Sequence, residues 1–570
     1  MTGAIPKIVW TLWLQGWRDA PRIAQASLKS WKNQNPEWSV HALDRTSLAN
    51  FLPESELSYL APEQHSAAQS DQIRIALLHR YGGFWADATT VCATPLDEWL
   101  PASAHTGFFA FSKPTEDRLL ASWFLAAERG NYIVERWREA TSHFWSDPHH
   151  RQNLDDYFWF HHLFGDLCQR DDEFRRAWKR VPTVSAQHPG HFGPNDTRLL
   201  RQVDRDQLNI TQAPPAPVLK LTHKLPDAEP SNRLIDAICD WSEALPQQMP
   251  PKSQRLLVCW YGSFAGHGTV GDLRSLETLA SHLVGCGHVV SHATADQIEI
   301  VGARRVDWQQ VASTDLDAVL FVCGPILSFH PQTNSLFDRF KHNRMAGVGV
   351  SLMPKTDPGF SNPFEIVFAR EGGERRYGDL AIIAPLGTHR SANSSLKVGV
   401  SLRGLQHEYG AHRCRWEETA RLAHEAAHAA IAEGGEIVVL ENHLTRSGLG
   451  ADEIERRYAE CDLVITSRFH GAITALRHGV PYIAIDQISG GAKIISLLSA
   501  LPWPHAYEID SIDAETLKGA AIELSQRPDR ELLFSTRDKA VKGANETLAA
   551  VDRWIASLSL APHHQNFRGY

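Results

Sequence analysis

The sequence has no apolar run long enough to cross a bilayer, no C-x-x-C pair and no dominant tract of lysine and arginine. The first absence excludes a membrane-spanning helix. The second argues against a thioredoxin-like or zinc-ribbon site, and eight scattered cysteines fit reduced thiols in a cytosol. The third, with a net charge of -9, argues against sequence-independent nucleic-acid binding. The opening MTGAIPKIVWTLW also lacks the charged-then-apolar layout of a signal peptide. A cytoplasmic protein is expected, with peripheral attachment to the inner face of a membrane left open. What is present is ordinary globular material: 43% hydrophobic and 22% charged residues over 570 positions, enough for two or three domains. Tryptophan is abundant at 18 residues, concentrated before position 180. Such rings stack on flat sugar and base faces, and they fill cores equally well.

One stretch, SDQIRIALLHRYGGFWADATTVCATPLD from Ser70 to Asp97, organises the first part of the chain. Asp71 and Arg74 are three apart on a predicted helix over 71–80, so they share a face and can act on one ligand. Tyr81-Gly82-Gly83 stops that helix, because glycine takes the left-handed conformation at little cost. Phe84-Trp85 then begins a strand, and Asp87 arrives at its end on rigid backbone. The β-branched Thr89, Thr90 and Val91 predict that the extended chain continues beyond it. A carboxylate so placed can hold a divalent cation and, through it, a diphosphate.

Around this stretch the pattern alternates. Ile5 to Trp13 reads as a buried strand and 22–35 as an amphipathic helix, and Pro36 to Val40 leads into a second strand ending near Asp44. Phe108 to Phe111 is another strand, and Asp156 to His162 opens an aromatic helix on which His161 and His162, being adjacent, point different ways. This is the order of an α/β nucleotide-binding domain.

The motifs resemble those of the bacterial capsular-polysaccharide glycosyltransferases. The matching elements are Ser70-Asp71-Arg74, Tyr81-Gly82-Gly83, a D-x-D-like Asp87-Ala88-Thr89, and Pro95-Leu96-Asp97. The opening Ile5-Pro6-Lys7 with Trp13, the Asp156-Tyr157-Phe158 triplet and the closing Lys220-Leu221-Thr222-His223-Lys224 fit as well. The resemblance implies a GT-A-like domain over 1–235 that uses a nucleotide-sugar. Asp71 and Arg74 would touch the donor sugar, Trp13 the base, and Asp87 a Mn or Mg ion. Asp156 would position the glycan or lipid-linked acceptor or act as base. Thr89 stands where the family has a second carboxylate. The basic Lys220 and Lys224 either neutralise a leaving diphosphate or simply sit in solvent.

A proline-rich linker is expected over 236–253, followed by a second domain to about 560. Its repeated strand-and-helix units predict two Rossmann-like halves, about 254–390 and 396–530, in a GT-B-like arrangement. Short strands are expected at 255–261, 317–324, 347–351, 364–370, 380–383 and 397–403. Gly266 to Gly271 spells G-x-G-x-x-G, but the strand lies four residues away and no acid follows for a ribose, so another phosphate ligand is the better reading. His424-Glu425-Ala426-Ala427-His428 spells the zincin H-E-x-x-H on an alanine-rich helix, with Glu441 the imaginable third ligand; a structural βα unit explains the segment better. Ser467-Arg468-Phe469-His470-Gly471 ends a buried strand before a helix, the natural place for an anion site.

That last motif, with Gly479-Val480-Pro481, Lys493-Ile494 and Gly268-Thr269-Val270-Gly271-Asp272, resembles the polysaccharide pyruvyltransferases. Thr269 replaces the family's Asn, and Cys323-Gly324-Pro325 stands for a glycine triplet. The resemblance implies transfer of pyruvate from phosphoenolpyruvate to a glycan, with no cofactor. His470 would be the acid and Arg468 the anion clamp. Arg403, Lys493, Gly268 and Gly271 would serve donor binding. Two other readings stay open: a non-catalytic glycan-binding module, or a second nucleotide-sugar glycosyltransferase.

Overall fold

The computed structural model describes residues 5–559 except 58–59, 61–65, 153, 155, 187–216, 224–235, 238, 243–251, 261, 263–267, 295–297, 327–330, 353–361, 371–375, 387–394, 432–433 and 445–447. Most of the expected linker, Lys224 and the Gly266-His267 start of the glycine-rich loop therefore lie outside the described residues. The chain divides into two compact units, residues 1–253 with 283–288, and 254–282 with 289–570. It is a mixed α/β protein built on parallel sheets.

The first unit is built on a five-stranded sheet in the order Ser39–Leu43, Ile8–Leu12, Gly83–Ala86, Arg118–Ala127, Phe108–Thr115. The first three strands are parallel and the last two antiparallel. Ile8–Leu12 is buried at every position, as a central strand covered on both faces requires. Its Cα register places Trp10 beside Trp85 and Val9 beside Phe84. A second, two-stranded antiparallel sheet pairs Thr90–Cys92 with Val218–Lys220. The helix Ser66–Tyr81 is buried along nearly its whole length, including Asp71 and Arg74.

In the second unit, six parallel strands run in the order Arg304–Arg305, Val289–Ala293, Arg255–Cys259, Ala318–Val322, Arg344–Val348, Ile366–Phe368. Numbered by chain position this is 3-2-1-4-5-6, the doubly wound dinucleotide-fold order. A second parallel sheet follows the related 2-1-3-4-5 order: Glu436–Val439, Lys397–Ser401, Leu463–Thr466, Tyr482–Asp486, Ala506–Glu508. In each sheet the order reverses beside the first strand, which opens a crevice at the strands' carboxyl ends. The halves are tied by a buried charge group: Arg274 donates to Glu455 at 3.1 Å, and Arg477 pairs with the same carboxylate. The 29-residue helix Arg530–Leu558 returns to the first half, where Thr547 Oγ1 donates to the Gly378 carbonyl at 3.0 Å.

Three local expectations are corrected. Leu380–Ile383 is a 3-10 turn, not a strand; Asp379 caps it by accepting from the Ala381 amide, and its four apolar side chains are buried. The chain does not run straight through Asp87. Thr90 N–H bonds back to the Asp87 carbonyl at 2.8 Å, so the β-branched residues start a strand in the other sheet. The helix after the Leu463–Thr466 strand begins at Phe469, three residues earlier than expected, and this puts His470 in its first turn.

Candidate active sites

In the first unit the strand end and the helix meet around one guanidinium. Arg74 is buried, and its NH1 lies 3.0 Å from Asp71 Oδ1 and donates to the Ser122 carbonyl at 2.8 Å. Its NH2 reaches Asp87 Oδ1 at 3.1 Å. Trp85 Nε1 donates to the same Oδ1 at 2.9 Å, and the guanidinium lies over the Trp85 ring at 5.1 Å. Asp71 and Arg74 therefore do share one face, and Asp87 joins them. Burial pushes the Asp71 carboxyl up to about 7, with Arg74 opposing the rise and Asp87 adding to it.

Lys220 completes the group. The ladder sets it opposite Thr90, and its Nζ donates to Thr89 Oγ1 at 2.8 Å and lies 3.6 Å from Asp87 Oδ2. Trp13, half-buried, packs against a cluster that includes Ala88, and meets the His223 ring edge-on at 5.4 Å. It thus lies beside the Asp87–Thr89 turn. Asp156 is exposed; it accepts from the Phe158 amide at 2.8 Å, and His162 Nδ1 lies 2.6 Å from it. The two adjacent histidines do diverge: His161 is half-buried, and burial followed by the charges of Arg74 and Arg118 pulls it down to about 3.

These residues do not suit a divalent ion at Asp87. Mn and Mg need several oxygen ligands at close range. Here one carboxylate oxygen faces Arg74 and Trp85, the other faces Lys220, and the Thr89 hydroxyl already accepts from Lys220.

In the second unit, His470 lies between carboxylates from the first half. Its Nε2 is 3.2 Å from Asp379 Oδ2 and 2.9 Å from Arg370 NH1, and its Nδ1 is 3.6 Å from Asp272 Oδ1. Arg370 NH1 also bonds Asp379 Oδ2 at 2.6 Å. Nε2 cannot donate to Asp379 and accept from Arg370 at once. Protonated, it donates to the carboxylate; deprotonated, it accepts from the guanidinium. Both proton states therefore have a partner. Burial works against ionising Asp272 and Asp379, but the charges of His470 and Arg370 hold both carboxyls below the usual range.

The glycine-rich loop is fitted to this cluster. Gly271 lies directly against His470, and Thr269 Oγ1 donates to Asp272 at 2.7 Å, so the threonine holds the acid. The Gly268 carbonyl accepts from Leu444 N–H at 3.1 Å, which stitches the loop to the second half. Lys493 starts a short helix, and its charge reaches Asp272. Arg468 is held by the Leu402 carbonyl at 3.0 Å and by Glu441 at 3.5 Å, partners that His470 does not share. Arg403 is exposed, and its backbone N–H donates to Ser467 Oγ at 2.8 Å.

Arg370, Asp379 and the clasp of Lys220 on Asp87 were not foreseen as site features. Arg370 carried a usable signal, since it closely follows a short apolar strand, as Arg468 does. Asp379 carried none, because its place depends on a 3-10 turn that the apolar pattern disguises. The H-E-x-x-H segment gives no site. Its two histidines are exposed, and Glu425 is taken by Arg421 at 2.7 Å and Lys518 at 3.7 Å, while Glu441 serves Arg468.

Residues 3–238 match the family model described as capsular polysaccharide synthesis protein, and residues 413–489 match that of polysaccharide pyruvyl transferase. Each match covers less than half of the chain. Among curated relatives it is 28% identical over 180 residues to the O-glycosyltransferase braB of Annulohypoxylon truncatum, spanning 28% of this chain and 42% of that protein. It is also 28% identical over 167 residues to the glycosyltransferase afumC of Aspergillus fumigatus, spanning 25% of this chain and 42% of that protein. The chain thus covers less than half the length of these fungal relatives. Among solved structures, a putative UDP-N-acetylglucosamine 2-epimerase from Listeria monocytogenes superposes with a TM-score of 0.37 at 13% identity, over 56% of this chain and all of that one. Among the described residues, no helix is long and apolar enough to cross a membrane.

Proposed function

We propose that the chain modifies a surface polysaccharide at two sites: sugar transfer from a nucleotide-sugar in the first unit, and transfer of pyruvate from phosphoenolpyruvate to a glycan, as a ketal, in the second. The observation that carries the first activity is the buried Asp71–Arg74 pair joined by the half-buried Asp87, with Trp13 beside it. It offers an ion-paired, partly exposed polar floor next to a flat ring, which suits a sugar diphosphate under a stacked base.

The second activity is carried by His470 between Asp272, Asp379 and Arg370, at the crevice where the two sheets reverse order. In the reaction, a proton is added to C3 of the enol, and C2 becomes electrophilic. One glycan hydroxyl attacks C2, the C2–O bond to phosphate breaks, and a second hydroxyl closes the ketal. The two hydroxyls give up two protons, which balances the one gained at C3 and the one leaving with inorganic phosphate. His470 suits the delivery to C3, since both of its proton states are held in place. Arg370 and Arg468 supply fixed charge for the carboxylate and phosphate.

The test is mass spectrometry of products made by the full chain from phosphoenolpyruvate and a nucleotide-sugar panel on a capsule oligosaccharide. A mass gain of one sugar, and a separate gain of one pyruvyl ketal lost in His470→Gln, are expected. Neither gain across the panel would refute the proposal.

A further inference from the structure

The seating of Lys220 on Asp87 has a chemical meaning that neither family description contains. The antiparallel ladder between Thr90–Cys92 and Val218–Lys220 fixes Lys220 opposite Thr90, one residue from the end of the turn that presents Asp87. Its ammonium sits 2.8 Å from Thr89 Oγ1 and 3.6 Å from Asp87 Oδ2. These are the two side chains of the D-x-D-like element, and the ammonium bridges them as a bound cation would. Arg74 and Trp85 occupy the remaining carboxylate oxygen. A divalent ion entering here would have to displace Lys220 and would then face the Arg74 guanidinium across a single carboxylate. Repulsion between cations a few ångströms apart in a half-buried site opposes that arrangement.

An ammonium is itself a phosphate-binding charge with three donors. Among the described residues, Asp87 and Thr89 face two of them. The side chains of Lys220 and Asp87 retain 19% and 27% exposure, so a ligand can reach them. We infer that Lys220 does the work of the metal: the first unit binds the diphosphate of its donor without a divalent ion, through the Lys220 ammonium supported by Arg74. This rests on the nucleotide-sugar reading of the site.

The experiment uses the full-length protein, with UDP and TDP as probes, titrated calorimetrically in EDTA and again in Mn²⁺. Binding in EDTA equal to that in Mn²⁺ is expected for the unaltered protein. Lys220→Ala should weaken binding in EDTA by about tenfold or more, and Lys220→Arg should restore most of it. Where Lys220→Ala fails to fold, Lys220→Gln, which keeps a donor to Thr89, is read in its place. Electron paramagnetic resonance gives a second measurement. Mn²⁺ uptake should be the same for the unaltered protein and for Asp87→Asn. Nucleotide binding that needs Mn²⁺, binding in EDTA that is indifferent to Lys220, or an Asp87-dependent bound Mn²⁺ would each overturn the inference while leaving the nucleotide-sugar reading standing. Absence of UDP and TDP binding under both conditions would overturn the two together.

Discussion

A methyl group placed on Gly271 would collide with Cγ of His470 and lie 2.5 Å from its Cβ. The contact is with the stem of the imidazole, not with a mobile tip, so the histidine and its helix would have to move. Gly271 sits in the first turn of a helix, where alanine is otherwise the better residue, and the conflict is therefore steric alone.

Gly271→Ala should displace His470 from Asp272 and Asp379 and lower ketal formation by about 10²-fold, as sub-ångström to ångström misplacement of a reacting group does. Sugar transfer in the same preparation should be unaffected. Both rates can be read from one product mixture, and wild-type ketal formation would detach the glycine loop from the chemistry.

His470→Gln separates an acid from a brace. Loss of the proton donor should cost about 10²–10⁴ in ketal formation with little change in melting temperature. A brace for the strand-to-helix turn would show the reverse: a lower melting temperature and a near-normal rate in the protein that stays folded.

Arg370 and Asp379 form a buried pair in which each is 5% exposed or less at the side chain. Removing the guanidinium leaves the buried Asp379 with His470 as its charged partner, so Arg370→Met should destabilise by up to about 3–5 kcal/mol, and the double change Arg370→Met with Asp379→Leu by less. Urea unfolding of the three proteins measures the difference. Asp379 ionises more readily folded than unfolded. Its contribution is therefore present above the ordinary carboxyl range and lost as pH falls below it, a loss that Asp379→Leu should not show.

Asp71 runs the other way. Burial raises it from an ordinary 3.8 to about 7, so the folded protein keeps a proton there that the unfolded chain has released. Its contribution to stability is greatest below about pH 4 and declines as pH rises towards 7. Asp71→Asn cannot lose that proton. The melting temperature of Asp71→Asn minus that of the unaltered protein should therefore grow from pH 4 to 7 and level off above. A difference that is flat with pH would mean that Asp71 is ionised throughout.

Much of this arrangement was legible in the sequence where the information is local. Asp71 and Arg74 lie one helical turn apart, Gly82 and Gly83 force a stop, and Asp87 must follow the short strand; their meeting needs only helix and strand periodicity. The strands of the second unit likewise stand out as apolar runs between turns. What stayed hidden depends on register between distant segments. Nothing near Lys220 says that Val218–Lys220 pairs with Thr90–Cys92, and nothing near Arg370 says that a histidine 100 positions later will face it. The apolar Leu380–Ile383 misled for a related reason. Burial against a helix and burial within a sheet leave the same short hydrophobic signature.

The clasp of Lys220 on Thr89 spans 131 positions of chain. At translation rates of about 5–20 residues per second, Asp87 emerges roughly 7–27 s before its ammonium partner. Through that interval the strand Thr90–Cys92 has an unpaired edge, open to pairing with other extended chains. The same ladder that seats the cation also closes this edge. A ribosome that stalls between the two strands would release a chain whose central sheet can form but whose turn at Asp87 still carries a sticky border, and such truncated products should be the ones that aggregate.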